Sequence, residues 1–202
     1  GELGDGSMNG RNAPWPVTGF LSGTLGLAEG TQGGCAIAAD GRVKCWGRQM
    51  LGNGTELRAA PVSVVGLDGG VSTIRPGKDG SYAVRNGSAF SWGSVPVTVT
   101  GITSDIVSIS GGLQNTCALL ATGAVRCFDN PSVDVPGLSS GVAALSVGGF
   151  HACVVMTSGA ARCWGSNSSG QLGDGNTTSS SVPVTVTGME TGTLSIATGM
   201  SH

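Results

Sequence analysis

Six cysteines carry the plainest chemical signal in this sequence, because Cys35 and Cys45, Cys117 and Cys127, and Cys153 and Cys163 form three pairs, each ten positions apart. Paired thiols serve two chemistries, a disulfide or a thiolate zinc site. Zinc is the alternative reading, but two cysteines ten positions apart on separate repeats do not converge on one ion, and the only histidines are His151 and His202. The disulfide reading implies an oxidising compartment. Three other constellations fall short of a site. Gly137-Leu-Ser139-Ser-Gly141 has nucleophile-elbow spacing, yet no helix pattern follows it and no acid lies between Ser139 and His151. Gly77-Lys78 would need a glycine at position 72, which is Ser72. Asp174 with Asn176 offers too few oxygens for a cation, and the 12 carboxylates are scattered through loops. The expectation is therefore a chain with no catalytic residue, no metal and no other cofactor, and not an enzyme.

Composition narrows the partners. Charged residues make up 11% and the net charge is −2, so no basic face awaits a phosphate backbone and no polybasic segment awaits a membrane. No apolar stretch approaches the roughly 18 residues of a membrane span. Nor does a charged segment precede an apolar run at Gly1, as expected of a mature secreted chain. Glycine is abundant at 37 residues without a Gly-X-Y period, and short alternating Val/Ile/Leu segments replace helix-forming runs.

The elements that hold the cysteines recur. Hairpins at 35–47, 81–93, 117–129 and 153–165 share one pattern, with Gly41, Gly87, Gly123 and Gly159 each ending a predicted three-residue loop in left-handed conformation. That loop length places Cys35 opposite Cys45, Cys117 opposite Cys127 and Cys153 opposite Cys163. In the second repeat, Ser81 and Ser91 are read as the replaced pair, the joint loss expected of bonded partners. After each hairpin comes a short strand opening on or near proline, at 61–65, 96–100, 132–135 and 183–187, with Pro16-Val17-Thr18 as an orphan. An alternating strand follows, at 71–74, 106–109, 142–147 and 193–196, preceded by one at 24–27. Four strands per repeat make a propeller blade. The predicted fold is all-β, a β-propeller forming a partial or open ring of about four to five four-stranded blades, with residues 1–202 as one domain.

Gly148-Gly-Phe-His-Ala-Cys-Val-Val, Ala161-Arg-Cys-Trp-Gly-Ser-Asn-Ser-Ser-Gly-Gln-Leu-Gly-Asp-Gly175 and Val182-Pro-Val-Thr-Val-Thr-Gly188 resemble the repeat named for the regulator of chromosome condensation. The cysteine-bearing form resembles bacterial secreted members. The likeness covers nearly the whole chain, although the two middle repeats are shortened and lack the Gly-Gln-Leu-Gly segment. It implies a ring of about seven blades. It also offers two protein-binding precedents, nucleotide exchange on a small GTPase and secreted inhibition of a β-lactamase. The first needs a nuclear or cytosolic setting, which disulfides contradict.

Gly1-Glu-Leu-Gly-Asp-Gly6 aligns with Gly170–Gly175 and Gly199-Met-Ser-His202 with Gly148–His151, so both ends stop at the same hairpin. Two expectations follow: a fragment of a longer propeller, or an open blade completed by another copy or another protein through strand addition. Trp46, Trp92 and Trp164 recur at one position and are expected to pack between blades. His151 and His202 are expected to satisfy backbone groups at the turn into a hairpin, and Met50, Met156 and Met200 to act as fillers. Asn53, Asn86, Asn167 and Asn176 head glycosylation sequons. The loops 48–60 and 166–181 are the expected binding surfaces. The functional expectation is a secreted or cell-surface structural protein, a fibre or coat subunit, with a protein- or glycan-binding propeller as the alternative.

Overall fold

The computed structural model describes residues 1–20, 23–30, 33–48, 51–55, 57–76, 81–92, 96–99, 105–112, 115–128 and 133–202. Met50, Gly77, Lys78, Gly93, Thr100, Asp129 and Ser132 lie outside the described residues. No helix occurs among the described residues, whose strands form four antiparallel four-stranded sheets, each in chain order. The fold is that of β-propeller blades, in two compact units, Gly1–Ser104 and Asp105–His202.

In the first unit, β1 (Gly26–Gly30), β2 (Gly33–Ile37), β3 (Val43–Arg48) and β4 (Leu57–Ser63) make one blade. The next is β5 (Val71–Pro76), β6 (Ser81–Arg85), β7 (Ser88–Trp92) and β8 (Pro96–Thr98). In the second unit, β9 (Ile106–Gly111), β10 (Thr116–Leu120), β11 (Val125–Cys127) and β12 (Val133–Asp134) precede β13 (Val142–Val147), β14 (His151–Met156), β15 (Ala161–Gly165) and β16 (Ser180–Thr185). Side chains from both blades of a unit share a core: Ile37, Val43, Leu67 and Ile74 are sealed together in the first, and Val125, Leu138, Val142 and Val154 in the second. Alternation along each strand supplies these inward positions.

Three hairpins close as the glycine pattern predicts. The Gly41 amide donates to the Ala38 carbonyl at 2.9 Å while Ala38 and Arg42 pair, and the same contacts recur at Gly123 and Gly159. These glycines have φ of 77°, 78° and 84°. A Cβ there would also stand 2.8, 2.7 and 2.5 Å from the backbone nitrogens of Gly70, Gly141 and Gly192, so each turn tip is pressed against the loop that follows its own blade. Position and packing both exclude a side chain.

The second repeat departs from the prediction. Arg85 pairs with Ser88, leaving a two-residue loop of Asn86 and Gly87 at φ of 50° and 76°, the signature of a type I′ turn. One residue fewer shifts the register, so Ser81 faces Trp92 and Tyr82 faces Ser91. Tyr82 and Ser91, not Ser81 and Ser91, thus occupy the cysteine positions. Proline is also placed differently from expectation: Pro61 and Pro183 fall inside β4 and β16, and only Pro96 begins its strand. These are outermost strands, where the missing N–H faces no partner. The segment 14–18 forms no strand, and the Thr18 amide donates to the Gly4 carbonyl as Val65 does to Gly52 and Thr187 to Gly173, each at 2.9 Å. Pro14, two residues before the Pro16 of the sequence alignment, therefore matches Pro61 and Pro183. The predicted strand at 24–27 is displaced to Gly26–Gly30, and 193–196 forms no ladder.

This register makes a discriminating prediction. The double variant Tyr82→Cys/Ser91→Cys forms a fourth cystine on oxidation, seen as a loss of two hydrogens by mass. Ser81→Cys/Ser91→Cys, the pair suggested by sequence alone, keeps free thiols.

Candidate binding loops and the framework that holds them

The cysteine pairs are the rivets of three hairpins. Cys35–Cys45, Cys117–Cys127 and Cys153–Cys163 are bonded across directly opposed strand positions, with Cα atoms 4.1, 3.9 and 4.1 Å apart. All six are buried. A cystine closing so short a loop contributes roughly 2–4 kcal/mol by restricting the unfolded chain.

One residue beyond the second cysteine position stands Trp46, Trp92 or Trp164, and the rings of Trp46 and Trp92 lie on a glycine of the preceding repeat. Trp46 donates its indole N–H to the Glu2 carbonyl at 3.0 Å, and a Cβ on Gly4 would come within 2.8 Å of its ring. Trp92 repeats the arrangement against Gly52, whose Cβ would meet the Trp92 ring at 2.8 Å. Both glycines belong to a Leu-Gly step of the preceding repeat, so these two tryptophans bridge successive repeats. Trp164 is buried in the shared core of the second unit, beside Ala152 and Val147.

The Leu-Gly step leads into the candidate binding loops. Leu51 and Leu172 plug the cores beneath the cystines 35–45 and 153–163. Behind them an Asx turn recurs: Asn53 accepts from the Thr55 amide and hydroxyl at 3.0 and 2.6 Å, and Asp5 accepts from the Ser7 amide and hydroxyl, both at 2.8 Å. Ser7 and then the Arg11 guanidinium hold the Asp5 carboxyl down to about 2.

Loop 166–181 is organised by a residue that the sequence presented only as a glycosylation sequon. Asn167 is 0% exposed. Its Nδ2 donates to Asp174 Oδ1 and to the carbonyls of Asn176 and Thr178, each at 3.1 Å. Its Oδ1 accepts the Leu172 amide at 2.9 Å, and its own amide donates to Ser179 Oγ at 3.1 Å. One buried amide thus fixes both limbs of the loop while Ser168, Thr177 and Ser181 remain exposed. The tripeptide Asn167-Ser-Ser carries no sign of this burial, which comes only with the fold of the loop. Of the other sequons, Asn86 and Asn176 are exposed and Asn53 is half-buried.

The remaining candidates do not converge. Ser139 sits on an exposed loop between β12 and β13. No group of three or more His, Cys, Asp or Glu side chains stands together among the described residues. The His151 backbone carbonyl accepts the Gly148 amide at 2.8 Å, as His202 does from Gly199 at 2.7 Å. Both nitrogens of the His151 ring are buried without a hydrogen bond of good geometry, and the one backbone group that favours the charged ring is that of His202. Met156 packs at the edge of the core and Met200 is exposed.

Comparison with known proteins places these features. Residues 142–171 and 158–202 match models of the regulator of chromosome condensation (RCC1) repeat. Over 142–202 the chain is therefore similar to RCC1 repeats. Among solved structures, human WBSCR16 superposes with a TM-score of 0.79 at 18% identity, over 98% of this chain and 63% of its own. Prp20p from Saccharomyces cerevisiae, described with its binding to Gsp1p and histones, gives 0.72 at 17% identity, covering 87% of this chain and 53% of Prp20p. The ectodomain of the Arabidopsis thaliana receptor kinase ACR4 gives 0.52 at 16% identity, covering 83% and 54%. The chain thus spans 53–63% of these relatives, and at such identities the likeness shows the β-propeller fold alone. No curated protein matches the chain.

Two outcomes test the framework by urea unfolding. Gly52→Ala combines a left-handed backbone with a clash against Val64 and Trp92 and costs about 3 kcal/mol, whereas Gly54→Ala, which has open space, costs about 1 kcal/mol. Asn167→Ala strands the Leu172 amide and costs about 2 kcal/mol, with the extra exchange of amide hydrogens confined to residues 166–181.

Proposed function

We propose that the chain is a non-enzymatic protein-binding module that works outside the reducing cytosol and presents loop 166–181 to its partner. The observation that carries this reading is Asn167. A buried amide that ties both limbs of a surface loop gives the loop one shape, so its exposed hydroxyls meet a partner with little ordering cost. Three cystines support an oxidising, secreted or cell-surface location. RCC1-type propellers offer a precedent, since Prp20p is described as binding Gsp1p and histones, while this chain's low charge favours a neutral protein surface over nucleic acid. Assembly into a fibre or coat has less support. The outermost strands carry Pro61 and Pro183 or, as in β12, are only two residues long, and these features discourage edge-to-edge pairing.

The test joins sedimentation with crosslinking of the secreted chain in its own medium. The reading expects a monomer at every concentration and crosslinks to a partner that centre on 166–181. Ser168→Arg and Thr177→Arg should abolish those crosslinks without moving the melting midpoint. Filaments in electron micrographs, or crosslinks that survive both substitutions, would overturn it.

A further inference from the structure

We propose that His151 is an acid-sensitive latch, whose protonation releases the segment Thr198–His202 from the turn Ser146–His151.

The latch is a contact between two short stretches of backbone. Ser146 Oγ accepts the Thr198 amide at 3.0 Å and meets Thr198 Oγ1 at 2.8 Å, and the Gly149 amide donates to the Gly199 carbonyl at 3.2 Å. The approach is so close that a Cβ on Gly148 or Gly149 would collide with the carbonyls of Gly199 and Met200. Glycine at both positions is what lets the two stretches lie together.

Beneath this contact sits the imidazole, 3% exposed, with neither ring nitrogen in a hydrogen bond of good geometry. A neutral ring can remain there at a modest cost. An imidazolium is far costlier there, because the one acceptor that favours it is the backbone of His202, in the covering segment itself, so a second charged N–H must reach water and the cover over the ring has to open. Among the described residues, the stretches packed around it, 146–150, 164–166 and 198–202, hold no carboxylate side chain to pair with the charge, and their one other titratable side chain is His202, itself a base. Burial pushes the His151 pKa below the ordinary histidine value, an effect opposed by the His202 backbone and reinforced by the His202 charge. A base whose folded pKa is lowered binds fewer protons folded than unfolded. The contact is therefore at full strength above the ordinary pKa of about 6.5 and weakens as pH falls from there toward the lowered value.

The chain contains its own control. Asn115 holds the position corresponding to His151 in the preceding blade, with the Gly112 amide donating to its carbonyl at 2.8 Å just as Gly148 does to His151. A turn of this kind therefore forms around a side chain that does not titrate.

The test is amide exchange at Gly149 and Thr198, expressed as protection factors, between about pH 8 and about pH 5, the span in which an imidazole changes charge. Protection at these two amides should fall about tenfold or more in the wild-type chain, while Val154 in β14 stays protected. His151→Asn should keep neutral-pH protection and lose the pH dependence. Equal losses in both proteins, or protection that rises in acid because the ring turns to donate to a carbonyl, would overturn the latch. Should the variant fail to fold, the His151 Cε1–H resonance of the wild type decides: titration below the ordinary value is expected, and titration at or above it refutes the proposal.

Discussion

Strand register in the hairpin is the constraint on which the rest of this molecule depends. A left-handed glycine closes the turn and is pressed against the next loop, so it can be neither replaced nor slid. Once register is fixed, the cysteines face each other across the strands, and Trp46 and Trp92 project onto the Leu-Gly step of the repeat before. Covalent stapling, core burial and repeat-to-repeat packing are thus consequences of one turn. The same logic explains why glycine is so frequent: at Gly41 and Gly52 it supplies a rare backbone angle and also the clearance for a neighbouring backbone or ring.

Much of this framework was legible in the sequence, and the misreadings have physical causes. Cystine pairing could be read because thiol type, spacing and turn glycine all demand the same register. Ser81 was misassigned because the Asn86-Gly87 dipeptide takes a tighter turn, and deleting one residue moves every partner on that strand. Pro16 misled in the same way, since proline marks an outer strand without marking its first residue. Asn167 was seen only as a sequon, because exposure is not written in a tripeptide. The burial of the His151 ring depends on a segment almost fifty residues away, which no local pattern reveals.

The division of labour follows from these facts. The hairpins are fixed by covalent bonds and close packing, while the segments after Leu51 and Leu172 hang from a single leucine plug and an Asx or Asn-centred network. Such loops can change their exposed residues without disturbing register. A rigid frame with replaceable, pre-shaped loops is the arrangement on which the proposed recognition role rests.

Disulfide mapping of the oxidised chain by non-reducing proteolysis and mass spectrometry tests the hairpin register most directly. The account predicts three linked peptides and no others, joining Cys35 to Cys45, Cys117 to Cys127 and Cys153 to Cys163, with no free thiol. A cysteine linked to a different hairpin, or a population with free thiols after air oxidation, would contradict it.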